Sequence, residues 1–337
     1  MNRAQALKDD EYYTLIEYVE QEMWAYHAYN PDVFRGKTIL LPCDDPEWSA
    51  FTEFFIAKFD EFGIEKLVST SFNKQGKQGK LFTLKRDHRR KKTKKDDLEW
   101  TYLKGTGDFR SAEVTKLRDE ADFVITNPPF SLQKEFLPWV LEGGCQFSVI
   151  GNLSSPTYKS VFPAILDGRM FAGASSKFND MVFIRPEDRE VSPTYRDKAV
   201  RIHPEYADQN ITRLGLTNWF TNIPHHRREK PLDCRPMKRN LAIRSGREAK
   251  DLYKRFLHYD AIEVPAVKAI PSDYKGVMAV PLTYLASHCP EQFEIVGVPE
   301  CDARGFSAGL WSGKGDGYLY VAGAEKAKAK RLFIRAK

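Results

Sequence analysis

The feature that most constrains the fold of this chain is a regular alternation of strand and helix signals between residues 37 and 152. Short apolar runs typical of buried strands occur at 37–43, 66–72, 99–105, 121–130 and 146–152. Segments with helical periodicity separate the first two runs and the last two. This alternation predicts an α/β fold, in which a largely parallel, doubly wound sheet carries helices on both faces.

The helix predicted after the first run begins near Asp44–Pro46 and ends at Gly63. Its aromatic residues recur at spacings of three and four, and we interpret all of them as core: Trp48, Phe51, Phe55, Phe59 and Phe62. The polar segment 73–97 predicts a loop or a flexible hairpin. The alternation decays after about residue 170, which predicts two domains, 1–170 and 171–337. At the end of the chain, residues 317–337 predict a terminal hairpin.

Parallel sheets of this kind bind ligands beyond the carboxyl ends of their strands, where the strand order reverses. The segments that follow predicted strands are therefore the candidates for a functional site. They are Cys43–Pro46, Thr70–Asn73, Gly105–Arg110 and Asn127–Phe130.

Asn127-Pro128-Pro129-Phe130 has the chemistry to hold a planar ring with an exocyclic amine. The two prolines fix the backbone and lack N–H groups, so main-chain carbonyls remain available as acceptors. The side-chain oxygen of Asn127 and a proline carbonyl can accept the two hydrogens of the amine, while the ring stacks on Phe130. This arrangement draws the lone pair of the nitrogen out of conjugation, so that it can attack an electrophilic methyl group. The alternative is an ordinary Pro-Pro turn with a capping asparagine.

The positive charge of the chain is concentrated in two stretches. Residues 85–95 contain eight Lys or Arg and one Asp, a net charge of +7, whereas the whole chain carries +6. Residues 227–247 contain eight Lys or Arg and two acids. Each is either a solvated loop or a contact with a phosphate backbone.

Other features exclude several classes of protein. The five cysteines are widely spaced without a CxxC pair, so we expect reduced thiols, no zinc site and no disulfide framework. No apolar run is long enough for a transmembrane helix, and the N-terminus lacks the apolar core of a signal peptide. We therefore expect a cytoplasmic protein that uses no metal.

Several stretches, in this order along the chain, resemble the EcoRI-type adenine-specific DNA methyltransferases. They are DEYYT (10–14), CDDP (43–46), GTGDFRS (105–111), ITNPPFSL (125–132), IGN (150–152), TNWFTN (217–222) and PEQFEIV (290–296). The resemblance implies a Rossmann-like methyltransferase domain followed by a C-terminal target-recognition region. It also implies S-adenosylmethionine as the cofactor.

The resemblance assigns roles to matching positions. The catalytic residues are Asn127, Pro128, Pro129 and Phe130. The residues expected to bind the cofactor are Tyr12, Tyr13 and Thr14, which would close over its methionine end, Cys43, Asp44, Asp45 and Pro46 at the first strand, Asp108 and Phe109 near its adenine, and Asn127. Two departures stand out, because the glycine-rich GxG of many methyltransferases is absent and Ser69-Thr70-Ser71 offers no acid for the ribose hydroxyls.

The predicted function is sequence-specific N6-methylation of adenine in double-stranded DNA, with the target base flipped out of the helix. We expect Lys91, Lys92, Lys94 and Lys95 to neutralise phosphates. Arginines within the more apolar stretch are candidates for reading bases: Arg227, Arg228, Arg235 and Arg239. The alternatives are N6-methylation of RNA, glutamine methylation of a protein, or a DNA-binding module without activity. We expect a monomer, and the sequence leaves open whether a cognate restriction endonuclease acts separately.

Overall fold

The computed structural model describes residues 10–88, 97–176, 180–243, 251–299, 319–322 and 330–337, which belong to two units. The first unit comprises the described parts of Met1–Ser155 and Ala172–His225, and the second those of Pro156–Phe171 and His226–Lys337. The boundary predicted near residue 170 differs from this division, because β-strand pairing returns residues 172–225 to the first unit. That the second unit recognises a target stays a prediction.

Strands and helices of the first unit alternate up to residue 152 except between residues 66 and 102, where three strands follow one another. The strands are β1 (Tyr13–Thr14), β2 (Thr38–Pro42), β3 (Lys66–Thr70), β4 (Lys80–Lys85), β5 (Leu98–Tyr102), β6 (Phe123–Thr126), β7 (Gln146–Asn152), β8 (Phe171–Ala172, at the border of the units), β9 (Met181–Ile184), β10 (Ile211–Leu214) and β11 (Thr217–Thr221). The helices are α1 (Ile16–Tyr29), α2 (Ala50–Ala57), α3 (Ala112–Asp119), α4 (Gln133–Glu142) and α6 (Pro193–Ile202). The helix α5 (Phe162–Leu166), which lies between α4 and α6 in the chain, belongs to the second unit.

The large sheet is mixed, with the strand order β5-β4-β3-β2-β6-β7-β11-β8. The four central strands, β3, β2, β6 and β7, are parallel to their neighbours within this group. Antiparallel strands flank them, because β4 pairs with β3, β5 with β4, and β11 with β7. The predicted α/β class is confirmed, whereas the parallel arrangement is restricted to the centre of the sheet.

The strand β4 lies inside the segment 73–97 that the sequence predicts to be a loop or a flexible hairpin. Its burial alternates, because Phe82 and Leu84 are buried whereas Leu81 and Thr83 are only partly buried. This period of two marks a strand with one covered face. The signal is short and is surrounded by glycine and lysine, so the composition of the segment obscures it. Of the two alternatives predicted for this segment, the hairpin is closer to the structure, because β4 and β5 are antiparallel neighbours.

The core of the first unit lies between the sheet and the helices α1 and α2. Ile39 and Leu41 of β2 belong to the same buried cluster as Val19 of α1 and Phe51 of α2. Leu40, which points to the opposite face of the sheet, is also fully buried. Both faces of the central strands are therefore covered, as a sheet with parallel central strands requires.

A small antiparallel sheet, in the order β1-β9-β10, places the N-terminal segment in the first unit. Tyr13 pairs with Ile184 and Thr14 with Phe183. The described part of the N-terminus is thus joined to a strand that lies about 170 residues later, and it leads directly into α1.

The second unit is built around a four-stranded sheet in the order β12-β13-β15-β14. Its strands are β12 (Ala261–Glu263), β13 (Val277–Pro281), β14 (Phe293–Gly297) and β15 (Arg331–Ala336), and its helices are α5 (Phe162–Leu166) and α7 (Met237–Ile243). The predicted terminal hairpin is wrong, because β13 and β14 occupy both edges of β15. Among the described residues, no helix is long and apolar enough to cross a membrane.

Candidate active site

The carboxyl ends of β2 and β6 open into a cavity of about 1160 Å³ within the first unit. The two strands are parallel neighbours, and β2 has β3 on its other side. The chain leaves β2 for β3 on one side and returns, after β5, to β6 on the other side, so the ends of β2 and β6 form a switch point where ligands of α/β proteins bind.

The cavity brings together most of the residues that the sequence predicts for the site. The predicted residues that line it are Tyr12, Tyr13, Thr14, Cys43, Asp44, Asp45, Asp108, Phe109, Asn127, Pro128 and Pro129. Pro46 and Phe130 do not line it. Segments that are about 115 residues apart in the chain thus meet at one edge of the sheet, while their individual roles stay predictions.

Asn127 is held in a defined orientation at the wall of the cavity. Its side-chain nitrogen donates a 2.8 Å hydrogen bond to the main-chain oxygen of Tyr12. A carbonyl oxygen can only accept, so the amide nitrogen must face Tyr12 and the amide oxygen must face away. That oxygen is buried and, among the described residues, has no hydrogen-bond partner. A buried acceptor without a partner costs free energy, so a donor on a ligand would relieve it.

Phe130 packs beside the cavity in a cluster of three aromatic rings. Its ring centroid lies 5.6 Å from that of Tyr12 and 6.1 Å from that of Phe183, and both contacts are edge-to-face. The guanidinium of Arg185 lies over the ring of Tyr12, 4.6 Å from its centroid. Since Tyr12 rather than Phe130 lines the cavity, stacking of a base on Phe130 stays a prediction.

Asp44 is buried at the tip of β2, and both of its carboxylate oxygens accept hydrogen bonds. Ser49 Oγ donates to Oδ1 at 2.9 Å, and Thr126 Oγ1 donates to Oδ2 at 2.5 Å. Asp44 therefore joins the ends of β2 and β6 directly before Asn127. The predicted helix start at Asp44–Pro46 is wrong, because α2 begins at Ala50 and its N-cap is Ser49, whose side chain accepts from the amide of Phe51.

Burial raises the pKa of Asp44 from 3.8 to about 7, although the hydrogen bonds from Thr126 and Ser49 lower it. The folded state therefore binds a proton on Asp44 more tightly than the unfolded state does. The contribution of this preferential protonation to the free energy of unfolding is fully present below about pH 4 and is lost as the pH rises through about 7.

We expect Asp44→Asn to remove this component of the pH dependence, because an amide does not titrate. Between pH 4 and pH 7 the parental protein should lose free energy of unfolding relative to the variant. Denaturant unfolding of both proteins at several pH values measures the difference. Parallel profiles of the two proteins would contradict the assignment.

Asp45 and Lys80 form an ion pair at the rim of the cavity. Lys80 Nζ lies 3.1 Å from Asp45 Oδ2 and 2.7 Å from Glu47 Oε2. These hydrogen bonds, led by the one to Glu47, raise the pKa of Lys80. The lysine comes from β4, the strand that the sequence did not reveal, so this partner of a predicted cofactor residue was also missed.

The segment that contains Asp108 passes close to the end of β3 because residue 107 is glycine. Gly107 has a φ of +83°, and a Cβ atom there would collide with the main-chain oxygen of Ser71. Asp108 follows and lines the cavity. Arg110 donates two hydrogen bonds to its carboxylate, from Nε to Oδ1 at 2.9 Å and from Nη2 to Oδ2 at 2.6 Å. Phe109, which also lines the cavity, makes edge-to-face contacts with Phe136 and Trp139.

Trp48 is a correction to the sequence-based interpretation, which assigned it to the core. It is 53% exposed, it lines the cavity, and its ring centroid lies 4.3 Å from that of Tyr13. It precedes the N-cap of α2 and so does not share the buried face of that helix, whereas Phe51, Phe55, Phe59 and Phe62 are buried as predicted. Further residues of the wall that the sequence did not single out include Lys74, Gln78, Tyr102, Ile184 and Tyr206.

None of the four arginines predicted to bind DNA lines this cavity. Lys91, Lys92, Lys94 and Lys95 are outside the described residues. The four arginines belong to the second unit, where Arg235 and Arg239 are exposed and Arg227 and Arg228 are half-buried. The guanidinium of Arg228 lies 3.9 Å from the ring centroid of Phe171. No group of three or more His, Cys, Asp or Glu in the described ranges is arranged to hold a metal ion.

Comparison with known proteins identifies the family. Residues 1–333 match the family described as "Adenine-specific methyltransferase EcoRI". The chain is 35% identical over 318 residues to the Type II methyltransferase M.EcoRI of Escherichia coli, covering 90% of this chain and 91% of the relative. It is 32% identical over 336 residues to the Type II methyltransferase M.MpnI of Mycoplasma pneumoniae, covering 99% and 96%.

A third relative, the Type II methyltransferase M.MgeORF184P of Mycoplasma genitalium, is 32% identical over 297 residues, or 88% of this chain and 84% of the relative. No solved structure matches the chain. The family predicted from the motifs is confirmed, and so is the prediction that the protein is an enzyme. The chain belongs to the EcoRI family of adenine-specific methyltransferases.

Proposed function

We propose that this enzyme is a sequence-specific DNA N6-adenine methyltransferase that flips its target base and uses S-adenosylmethionine as the methyl donor. The observation that carries the proposal is the Asn127-Pro128-Pro129 turn at the switch point, where an acceptor on Asn127 has no partner among the described residues. The Type II methyltransferases to which the chain is similar support DNA as the substrate. An adenine in duplex DNA must leave the base stack before its amine can reach such a turn.

The cavity fits a cofactor together with a base. Its volume of about 1160 Å³ exceeds the roughly 300–1000 Å³ of most small-molecule sites. Thr14 supplies a second orphaned group, because its Oγ1 is buried at the wall and has no hydrogen-bond partner in the described part of the chain. Thr14 would hold the methionine end of the cofactor, and Asp108 would accept from the amine of its adenine. Bound S-adenosylmethionine would supply an electrophilic methyl group.

The residues of the turn would prepare the amine of the target adenine for attack. Asn127 Oδ1 would accept one hydrogen of the amine, and the carbonyl of Pro128 would accept the other. These acceptors gain strength as positive charge develops on the nitrogen, so they stabilise the transition state more than the ground state. Because the turn is fixed before the base arrives, little reorganisation is needed during the reaction.

In this proposal, the basic residues bind the phosphate backbone of the DNA. The lysines at 91, 92, 94 and 95 would neutralise phosphates without reading sequence. An arginine among Arg227, Arg228, Arg235 and Arg239 would make a bidentate contact with guanine. We infer a monomer that acts on double-stranded DNA in the cytoplasm, and any cognate endonuclease would be a separate protein.

The proposed function is tested by the identity of the product. We expect the purified enzyme, given S-adenosylmethionine with a labelled methyl group, to label duplex DNA in preference to pools of RNA and protein. Mass spectrometry of the digested DNA should show N6-methyldeoxyadenosine. N4-methylcytosine as the sole product would refute the assignment of the pocket, and label confined to RNA or protein would favour one of the alternative substrates.

A further inference from the structure

The N-terminal segment Asp10–Thr14, which we call the strap, is attached to the walls of the cavity at several points. All five of its residues line the cavity. Glu11 pairs with Lys74 of the loop between β3 and β4, and Tyr13 contacts Trp48 after β2. Tyr13 and Thr14 are also paired with β9, and Asp10 and the main chain of Tyr12 are attached to the segment 127–131.

Two hydrogen bonds join the strap to the segment 127–131. The main-chain oxygen of Tyr12 accepts from Asn127 Nδ2 at 2.8 Å, and the carboxylate of Asp10 accepts from the main-chain N–H of Ser131 at 2.7 Å. Ser131 lies in the 3₁₀ turn Phe130–Leu132 that leads into α4. The N–H groups at a helix start lack partners within the helix, and the positive end of its dipole attracts a carboxylate, so Asp10 supplies an acceptor that this turn lacks.

We infer that Asp10 is a positioning residue for catalysis, because it holds the strap where the carbonyl of Tyr12 sets the orientation of the Asn127 amide. This inference rests on the proposed function of the same site. If residues 10–12 moved away, the amide nitrogen of Asn127 would lose its acceptor on Tyr12, and the amide could rotate so that its nitrogen instead of its oxygen met the target amine. Two donors would then face each other, and the amine would lose an acceptor. Asp10 touches neither substrate nor cofactor in this scheme and acts through Tyr12 and Asn127.

The test compares Asp10→Ala with Asp10→Asn, and Asp32→Ala serves as a control that removes an exposed aspartate outside the cavity. Asp10→Ala should lower the single-turnover rate of methyl transfer to duplex DNA by about tenfold or more, the scale of a small displacement of a reacting group. Its dissociation constant for S-adenosylmethionine, measured by calorimetry, should be unchanged, because the pairing of β1 with β9 holds Tyr13 and Thr14 without Asp10. Asp10→Asn should restore the parental rate, since its amide oxygen can accept from Ser131, and Asp32→Ala should match the parent.

A readout that does not depend on activity keeps the inference separate from the proposed function. The side-chain NH2 signals of Asn127 are identified in asparagine-labelled protein as the pair that is missing from Asn127→Ala. In Asp10→Ala this pair should exchange with solvent faster than in the parent, whereas Asp10→Asn should leave it unchanged. Unchanged exchange in Asp10→Ala, or a rate that falls only in proportion to cofactor affinity, would overturn the inference. A parental enzyme that does not methylate adenine would contradict the proposed function but leave the NMR comparison valid.

Discussion

Asn127→Ala is expected to lower the rate of methyl transfer by roughly 10²–10³-fold, the usual cost of losing one preorganised electrostatic partner in a transition state. The variant removes an acceptor that is buried and has no partner in the described part of the chain, at a main-chain turn that the prolines continue to define. The affinity for duplex DNA should change far less, because the interaction is made at the reacting amine and becomes stronger only in the transition state.

Single-turnover transfer of a labelled methyl group measures the rate, and fluorescence anisotropy with labelled duplex measures affinity. Asn30→Ala is the matched control, since it removes an asparagine at the end of α1 that does not line the cavity. An equal loss of rate and affinity in Asn127→Ala would show that Asn127 contributes to binding in general, and the proposed role at the amine would be wrong.

The second large effect is expected for Gly107→Ala, which should lower the free energy of unfolding by about 2–5 kcal/mol. Two costs combine at this position. The φ of +83° is unfavourable for any residue with a side chain, and the new Cβ would collide with a main-chain oxygen of Ser71, which cannot rotate away as a side chain could. Because Asp108 follows directly and lines the cavity, the affinity for S-adenosylmethionine should fall as well.

Gly105 provides a control from the same GTG segment. A Cβ at residue 105 would meet no atom within 4 Å, so Gly105→Ala should keep the parental stability and cofactor affinity. Denaturant unfolding and calorimetric titration with S-adenosylmethionine measure the two quantities. Similar behaviour of the two variants would mean that the close approach of residue 107 to β3 is not required.

Much of the site was predictable because its residues follow strands whose apolar runs are local signals. The run before Cys43 and the run before Asn127 each predict a buried strand, and parallel neighbours end at the same edge of a sheet. The positions of Asp44, Asp108 and Asn127 around one cavity follow from that topology. The exposure of Trp48 was not predictable in this way, because spacing alone cannot show whether a residue that precedes a helix shares its buried face.

The sequence by itself determined the α/β class, the family, the helix-forming aromatic pattern after β2 and the order of the segments that line the cavity. These properties depend on periodicity and motifs, which are read within short windows of the chain. Only the tertiary structure decided that β4 and β11 extend the sheet in antiparallel fashion, that Arg110 clamps Asp108, and that Tyr12 orients Asn127. The physical reason is that the pairing of the antiparallel strands and the orientation of Asn127 depend on segments that only the fold brings together, here across as many as 115 residues. The hydrogen bonds from Arg110 to Asp108 depend in turn on how closely residue 107 approaches the end of β3.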